Sequence, residues 1–365
     1  MTPIEPESPP ELAEALADAS ARGHSVRLSG NFTKDRMAGP LQNADVLVTT
    51  RRMDRILTYE PADLTVSVEA GITYAELTRL LAQNRQMIPL DPPWADTATI
   101  GGILSANTNG PRRRLYGTAR DMVIGMTFAT CEGKLVQTGG MVVKNVAGLD
   151  MGKLMIGSFG TLAAIAVANF RVHPMPAQTR TFVWTFAKVG EAIAMRDAIL
   201  KSLLQPSAID LIKDECEYRL MVQAGGNPAV LDRYTRELSG ARIVEGADEA
   251  RLWTDIREFT PQYLAAHADG VVVRIACKLT ELGAVLESVP DPAVARAGTG
   301  VVYAHFPESG KRRGAVGVID FAPQSVRETH ELWPYPGDAL ETMKKIKAML
   351  DPQGLLNRGR LYGRI

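Results

Sequence analysis

Cysteine, net charge and long apolar runs are what this 365-residue chain has least of. Its three cysteines, Cys131, Cys216 and Cys277, lie far apart and follow no pattern. That excludes a disulfide framework and a zinc site built on cysteine spacing, and it suits a reducing cytosol. There is no Cys-x-x-Cys run, so the chain cannot itself hold an iron–sulfur cluster. Lys plus Arg number 41 and Asp plus Glu 41. No overall field therefore draws in nucleic acid or an anionic membrane, and no nucleic-acid motif opposes that exclusion. The first residues, Met-Thr-Pro-Ile-Glu-Pro-Glu, lack the basic-then-apolar order of a signal peptide. The longest apolar run, 161–170, is too short to cross a bilayer and fits a buried strand. A cytoplasmic protein is expected, with any membrane contact made only indirectly through partners.

What remains is an ordinary globular composition, 45% hydrophobic and 22% charged, long enough that two domains are expected before one. Ser8-Pro-Pro-Glu11 has the form of a capping box, and Leu12, Ala15, Leu16 and Ala19 follow at helical spacing until Gly23. Strands are expected at 26–28, 46–49, 56–59 and 64–68, and Thr73-Tyr-Ala-Glu76 opens a second helix. A hairpin over 123–138, a short helix at 150–156 and a strand at 162–172 complete the first part. Pro174-Met-Pro176 marks a boundary. Beyond it, strands near 182–186, 208–212, 218–223, 271–277, 301 and 316 are interleaved with helices at 190–203, 229–238, 249–259 and 279–289. This pattern predicts an antiparallel sheet covered by helices on one face. A helix over 338–350 and a tail follow.

The most informative stretch begins at Asp96 and runs through Thr97, Ala98, Thr99, Ile100, Gly101 and Gly102 to Asn107, Thr108, Gly110, Pro111 and Arg112-Arg113-Arg114, with Tyr116-Gly117 and Arg120-Asp121 beyond. Adjacent glycines, small residues and a Gly-Pro turn give a backbone that a flat ligand can approach closely. Read alone, a Gly-Gly pair more often serves merely to turn a surface loop. The segment is expected to be a long loop. Two further segments accompany it: Ser29, Gly30, Asn31, Phe32, Thr33 and Lys34, a strand running into a polar turn, and the stretch 139–162 with Asn145, Gly148 and Gly160.

Together the three segments resemble the vanillyl-alcohol oxidase, or PCMH-type, FAD-binding domain, and within it the FAD-binding subunits of bacterial glycolate oxidases. In that family Gly-Gly-x7-Gly-Pro-Arg-Arg, Arg-Asp-x-Val-x-Gly and Lys-Asn-Val-Ala-Gly-x-Asp recur with this spacing. Here they start at Gly101, Arg120 and Lys144. The resemblance covers Ser8 to Pro174 and returns at Asp351 to Tyr362, while the middle third matches weakly. It implies an α+β fold with a PCMH-type FAD-binding domain over 1–175, an antiparallel α+β cap over 176–335 and a return to the first domain over 336–365. It implies FAD held by residues 29–34, 97–102, Asn107, Thr108, Gly110, Pro111, Arg112, Tyr116, Gly117, Arg120, Asn145, Gly148, Gly160 and Ile165. It also implies a glycolate oxidase complex that turns glycolate into glyoxylate. A larger flavoprotein subunit and an iron–sulfur subunit would be the partners, with this chain's flavin accepting or relaying electrons. A free-standing FAD-dependent hydroxy-acid or alcohol oxidase, and a structural subunit that has lost FAD, stay open.

The departures matter as much. FAD carries a diphosphate that backbone N–H groups in a short turn can hold. Relatives commonly have Gly-Gly-Asn-Ser-Lys where this chain has Gly30-Asn31-Phe32-Thr33-Lys34. Asn31 is expected to take the positive φ of the turn, and Phe32 either covers the ligand or packs. No His or Cys lies within 29–36, and His24 reads as a strand-end surface residue, so noncovalent FAD is expected. One of Arg112, Arg113 and Arg114 either steadies negative charge on the reduced flavin or binds a carboxylate; the other reading is a solvated or subunit-contacting loop. Arg120 and Asp121 are expected to pair. Metal-dependent relatives carry His-x-Gly-Asp-Gly-Asn-Leu-His in the cap, against Arg296-Ala-Gly-Thr-Gly-Val-Val-Tyr303 here. The turn glycines persist and the ligands do not, so no metal site is expected. Arg113, Arg296, Tyr303 and His305 are the remaining catalytic candidates, with His305 also reading as structural.

Overall fold

The computed structural model describes residues 2–141, 150–215, 217–311 and 316–365. The chain forms two compact units, one of residues 1–109, 118–175 and 324–365, the other of 110–117 and 176–323. Two segments fall differently from the simple order drawn from sequence. Residues 110–117 belong with the second unit, where the short helix Arg113–Tyr116 lies against the strand Ala208–Asp214. Residues 324–335 belong with the first. There Gln324 exchanges hydrogen bonds with the Leu41 backbone at 3.0 and 2.9 Å, and Arg327 donates to Gly39 O at 2.7 Å.

In the first unit the helix Pro9–Ala21 starts as its sequence dictates. Ser8 Oγ accepts from Glu11 N, and the Glu11 carboxylate accepts from Ser8 Oγ and Glu7 N. Its buried face, Leu12, Ala13, Leu16 and Ala19, packs on Val26, Val48, Ala129, Ala164 and Ala166. Five antiparallel strands form the larger sheet in the order Ile56–Glu60, Thr65–Glu69, Ala164–Arg171, Val123–Ala129, Leu135–Gly139. Residues 164–170 are buried throughout, which is why they read as one apolar run rather than an alternation. The strand Val26–Ser29 pairs in parallel with Val46–Thr49 on one side. On its other side it takes the C-terminal tail, through Val26 N to Leu355 O and Asn357 N to Val26 O, both 2.9 Å. The Asn357 side chain completes the join, accepting from Leu28 N at 2.7 Å and donating to Phe159 O at 2.7 Å.

The second unit is built on eight antiparallel strands. Helices flank both faces of this sheet, not one. Phe182 stacks on Tyr234 of the helix Pro228–Glu237 at 6.1 Å, while its neighbour Val183 joins Ile256 of the helix Gly246–Arg257 in an apolar cluster. Adjacent residues of one strand point to opposite faces, so two covered faces follow. Thr181, Phe182, Val183 and Trp184 are all buried, and the absence of a polar alternation there was the available signal. The helix Phe259–Ala266 and the four-residue strand Ala293–Arg296 were also not anticipated.

The tail's grip on the first unit is testable at Asn357. Asn357→Ala leaves Leu28 N and the Phe159 carbonyl without these partners, and unfolding free energy should fall by about 2–4 kcal/mol. Urea unfolding followed by circular dichroism measures it; a change within about 0.5 kcal/mol would show that the tail is an ornament.

Candidate functional site

A cleft opens in the first unit, with about 780 Å³ of empty space when the solvent at its open mouth is included. Its walls are the strand end at Ser29, the turn through Asp35, the helix Ile100–Ala106, residues 159–165, and Asn357 and Arg360 of the tail. The turn closes on itself by Asp35 N to Phe32 O at 3.1 Å and Met37 N to Lys34 O at 2.9 Å. Among the described residues, the backbone N–H groups of Gly30, Asn31, Phe32 and Thr33 donate to no protein acceptor. Successive unspent amides at a turn form an anion-binding concavity. The left-handed residue is Phe32, at φ 59, and not Asn31. Asn31 serves otherwise: its Nδ2 donates to Thr97 O at 2.9 Å and anchors the turn. The Arg27 guanidinium sits 5.4 Å from the centre of the Phe32 ring. A bulky side chain at positive φ is strained by roughly 1–2 kcal/mol, which the surrounding contacts must offset.

Charge favours an anion here as well. Among the described residues Arg27, Lys34 and Arg360 line the cleft against one acid, Asp35, which pairs with Arg27 at 2.8 Å. The Lys34 ammonium lies 5.0 Å from the Trp94 ring centre and 3.3 Å from Thr33 Oγ1. Arg360 donates to Met37 O at 3.0 Å, to Lys34 O at 2.9 Å and to Gly39 O. Burial, with Arg327 nearby, pushes its pKa down to about 10; burial does the same to Arg327. Both guanidiniums stay charged at neutral pH.

Residues 99–110, expected as a loop, hold the helix Ile100–Ala106 instead. Thr99 caps it by accepting from Gly102 N at 3.2 Å, and Ile100 N and Gly101 N donate to Ile72 O and Ala70 O. Its leading amides are thus spent on protein, and the free ones lie at 30–33. The two glycines do different work. A Cβ at Gly101 would stand 2.9 Å from Ala70 Cβ, so packing requires glycine there. A Cβ at Gly102 would meet only Thr99 Oγ1, at 3.2 Å, so this glycine keeps the cleft wall low. Gly30 is confined differently, since its Cβ would stand 2.1 Å from Thr99 Oγ1.

Of the residues expected to hold the cofactor, Ser29, Gly30, Asn31, Phe32, Thr33, Lys34, Thr99, Gly101, Gly102, Gly160 and Ile165 line the cleft. Thr97, Ala98, Ile100, Asn107, Thr108 and Arg120 do not: Ala98 O accepts from Tyr74 N, and Asn107 ends the helix at φ 49. Gly110, Pro111, Arg112, Tyr116 and Gly117 belong to the second unit. Asn145 and Gly148 lie outside the described residues. Arg120 does not pair with Asp121; it donates to Lys153 O at 2.6 Å, while Asp121 caps Thr118. Sequence reasoning passed over Arg27, Ser105, Phe159, Asn357 and Arg360 as lining residues. The signal for the last two was the returning match at 351–362.

In the second unit His305 is fully buried, with Nε2 2.9 Å from Thr260 Oγ1 and its ring edge-on to Phe259 and Tyr263. Burial drives its pKa down to about 3. It is a neutral core residue, so the proposed role as a base facing substrate fails. Arg296 is held by the buried Asp210, and its guanidinium lies 5.7 Å from the Tyr303 ring centre. Arg114 donates to Pro206 O at 3.1 Å, and a Cβ at Gly298 would stand 2.5 Å from Arg114 Cδ. Arg113 is exposed, and its side chain makes no hydrogen bond or ion pair among the described residues. Those residues contain no group of three or more His, Cys, Asp or Glu placed to hold a metal.

Two predictions follow from this geometry. Gly102→Val should leave folding intact and weaken FAD binding at least about tenfold, whereas Gly101→Ala should cost about 1–3 kcal/mol of stability through its clash with Ala70. Flavin titration and thermal melting separate the two; undiminished flavin affinity in Gly102→Val would remove this wall from the site. For His305 the folded pKa lies below the unfolded 6.5, so only the unfolded chain takes the proton between pH 6.5 and about 3. Stability from this group is complete above pH 6.5 and falls below it, by about 2 kcal/mol at pH 5. His305→Gln should flatten that part of the pH–stability curve; a wild-type slope in the variant would contradict it.

Residues 3–139 match the FAD binding domain family, and residues 333–361 match the C-terminal domain of FAD linked oxidases. The glycolate oxidase subunit GlcE of Escherichia coli (strain K12) is 29% identical over 254 residues, 68% of this chain and 67% of that protein. The glycolate oxidase subunit GlcD of Bacillus subtilis (strain 168) is 27% identical over 212 residues, 57% of this chain and 44% of that one. A mitochondrial D-lactate dehydrogenase (cytochrome) of Arabidopsis thaliana is 28% identical over 374 residues, 87% of this chain and 65% of its own length. The chain thus spans less than two thirds of the latter two. Among solved structures, alkyldihydroxyacetonephosphate synthase superposes with a TM-score of 0.71 at 18% identity, covering 97% of this chain and 75% of that one, which shows a shared fold. With an FAD binding domain match over 3–139 and an FAD linked oxidase match over 333–361, the chain is similar at both ends to FAD-dependent oxidoreductases, and the two matches support FAD as its cofactor.

Proposed function

We infer that this chain is the FAD-binding subunit of a multi-subunit complex that oxidises glycolate, or a closely related 2-hydroxy acid, to the 2-oxo acid. The observation that carries the reading is the cleft itself, where four unspent backbone amides at 30–33 meet a net positive wall. That donor set fits a diphosphate, and similarity to proteins named as glycolate oxidase subunits and D-lactate dehydrogenase supplies the substrate class. Gly30, Asn31, Phe32 and Thr33 would hold the diphosphate through their N–H groups, with Lys34 and Arg360 offsetting its charge. Gly102 leaves room for the ligand, and Phe159, Gly160 and Ile165 supply its apolar wall. FAD, when bound, would supply a carrier able to take up and pass on two electrons. Among the described residues no histidine or cysteine lines the cleft, which supports noncovalent FAD.

Oxidising a 2-hydroxy acid also requires removal of the hydroxyl proton. His305 is enclosed and neutral, Arg296 is tied to Asp210, and Arg296 and Tyr303 stand where metal-dependent relatives have histidines. This supports a division of labour in which a larger flavoprotein sister performs the oxidation and this chain's flavin relays electrons toward an iron–sulfur partner. The alternative is a subunit that oxidises the acid unaided.

Anaerobic mixing of the isolated, FAD-loaded chain with excess glycolate distinguishes the two. The relay reading expects the visible absorbance of oxidised flavin to persist in the isolated chain and to bleach in the assembled complex. Rapid, complete bleaching of the isolated chain would make it a catalyst in its own right. Colourless protein that takes up no added FAD would overturn the cofactor assignment for this chain.

A further inference from the structure

The sheet of the second unit carries a group of charges that no fold requirement explains. In its register Tyr303 lies directly opposite Arg274 on one side and Val294 on the other, so these side chains share a face. Arg296, two residues from Val294 on the same strand, shares it too. Val294 belongs to the apolar cluster of Val183, Ile212, Met221 and Ile256, so the charges stand at the edge of a packed layer. Arg274 reaches the buried Asp320 at 3.2 Å, and Arg296 reaches the buried Asp210. Ion pairs taken out of water stabilise a fold little more than apolar residues of the same size, and often less. Their presence here calls for a role other than stability.

The balance of charge points to that role. Three guanidiniums, on Arg113, Arg274 and Arg296, act on Tyr303, against the carboxylates of Asp210 and Asp320 nearby. Each aspartate is engaged by an arginine of the sheet, leaving Arg113 exposed and without an acidic partner among the described residues. Arg113 is brought to this unit by the short helix Arg113–Tyr116, on the strand Ala208–Asp214 that carries Asp210. The Tyr303 side chain makes no hydrogen bond within the described residues and its oxygen is not sealed from solvent, so its O–H is available to a ligand. Burial raises the Tyr303 pKa, which keeps that group a donor at neutral pH.

We propose that Arg113 and Tyr303 form a seat for the carboxylate of a small 2-hydroxy or 2-oxo acid, with Arg296 and Arg274 fixed beside it by their aspartates. The substrate class rests on the function proposed above; the seat itself rests on the charge arrangement. Arg113 provides the planar fork that matches a carboxylate, and Tyr303 provides a neutral donor to the same ligand. The Arg296–Asp210 pair stacks near the tyrosine ring and orients it. No bond is made or broken at the seat, and the chain holds the acid without needing to oxidise it.

Isothermal titration of glycolate into the FAD-loaded chain tests this, with acetate and ethylene glycol as probes that lack the hydroxyl and the carboxylate respectively. Glycolate and acetate should bind and ethylene glycol should not. Arg113→Met should weaken glycolate at least about tenfold, the loss expected for a charge-assisted pair, and Arg113→Lys less. Tyr303→Phe, which keeps the ring beside Arg296, should weaken it severalfold, and all three variants should keep wild-type melting temperatures and flavin content. Unchanged glycolate affinity in Arg113→Met and Tyr303→Phe would overturn the seat, as would wild-type protein that binds no carboxylate. Binding that follows these variants for acetate but not for any 2-hydroxy acid would uphold the seat and remove the 2-hydroxy acid from the function, so the two readings fail separately.

Discussion

The return of the C-terminal tail is the constraint on which the cleft depends. Asn357 bonds to both the Val26–Ser29 strand and the Phe159 carbonyl, so one amide side chain fixes the distance between two walls. Three residues later Arg360 gathers the carbonyls of Lys34, Met37 and Gly39. A turn whose leading amides must stay unspent cannot be held by hydrogen bonds to those amides. It is held instead by its carbonyls and by the Asn31 side chain, which leaves the N–H groups of these cleft-lining residues unspent. The crowding is severe where the two segments meet, since a Cβ at Gly39 would stand 1.8 Å from Gly359 O. Backbone lies on backbone there, and only glycine allows it.

Placing two buried guanidiniums, Arg327 and Arg360, against one carbonyl is unfavourable by itself, and burial with mutual repulsion accounts for the lowered pKa of Arg360. Asp35 moderates the repulsion without cancelling it. The cleft consequently keeps a positive potential inside a chain whose overall charge is zero. Global neutrality and a locally cationic cleft together suit a protein that binds one anionic cofactor and does not attract polyanions in general.

Much of this was legible in the sequence, for identifiable reasons. Capping boxes at Ser8 and Thr73 are local chemistry, and both helices start where those residues say. The buried strand 164–171 announced itself by its unbroken apolar run. Residues 99–110 misled because Gly101-Gly102 lowers helix propensity, while Thr99 capping and the Ala70 packing surface, a tertiary partner, decide for helix. Asn31 has the intrinsic preference for positive φ, yet its side-chain bond to Thr97 fixes it elsewhere and Phe32 takes the strain. His305 reads as a possible base because sequence carries no burial, whereas two aromatic rings of the helix Phe259–Ala266 enclose it. Arg360 is separated from the turn it holds by over three hundred residues. Only the family resemblance of the tail hinted at that contact.

The central claim is that cofactor phosphate is held by the amides of residues 30–33, and not by the start of the helix at Ile100. Amide hydrogen exchange, measured at residue resolution on the apo chain and again with saturating FAD, addresses it most directly. The account expects slowed exchange at Gly30, Asn31, Phe32 and Thr33, with little change at Ile100, Gly101 and Gly102, whose amides are already bonded. Protection confined to residues 100–102, with 30–33 exchanging as fast as in the apo chain, would contradict it.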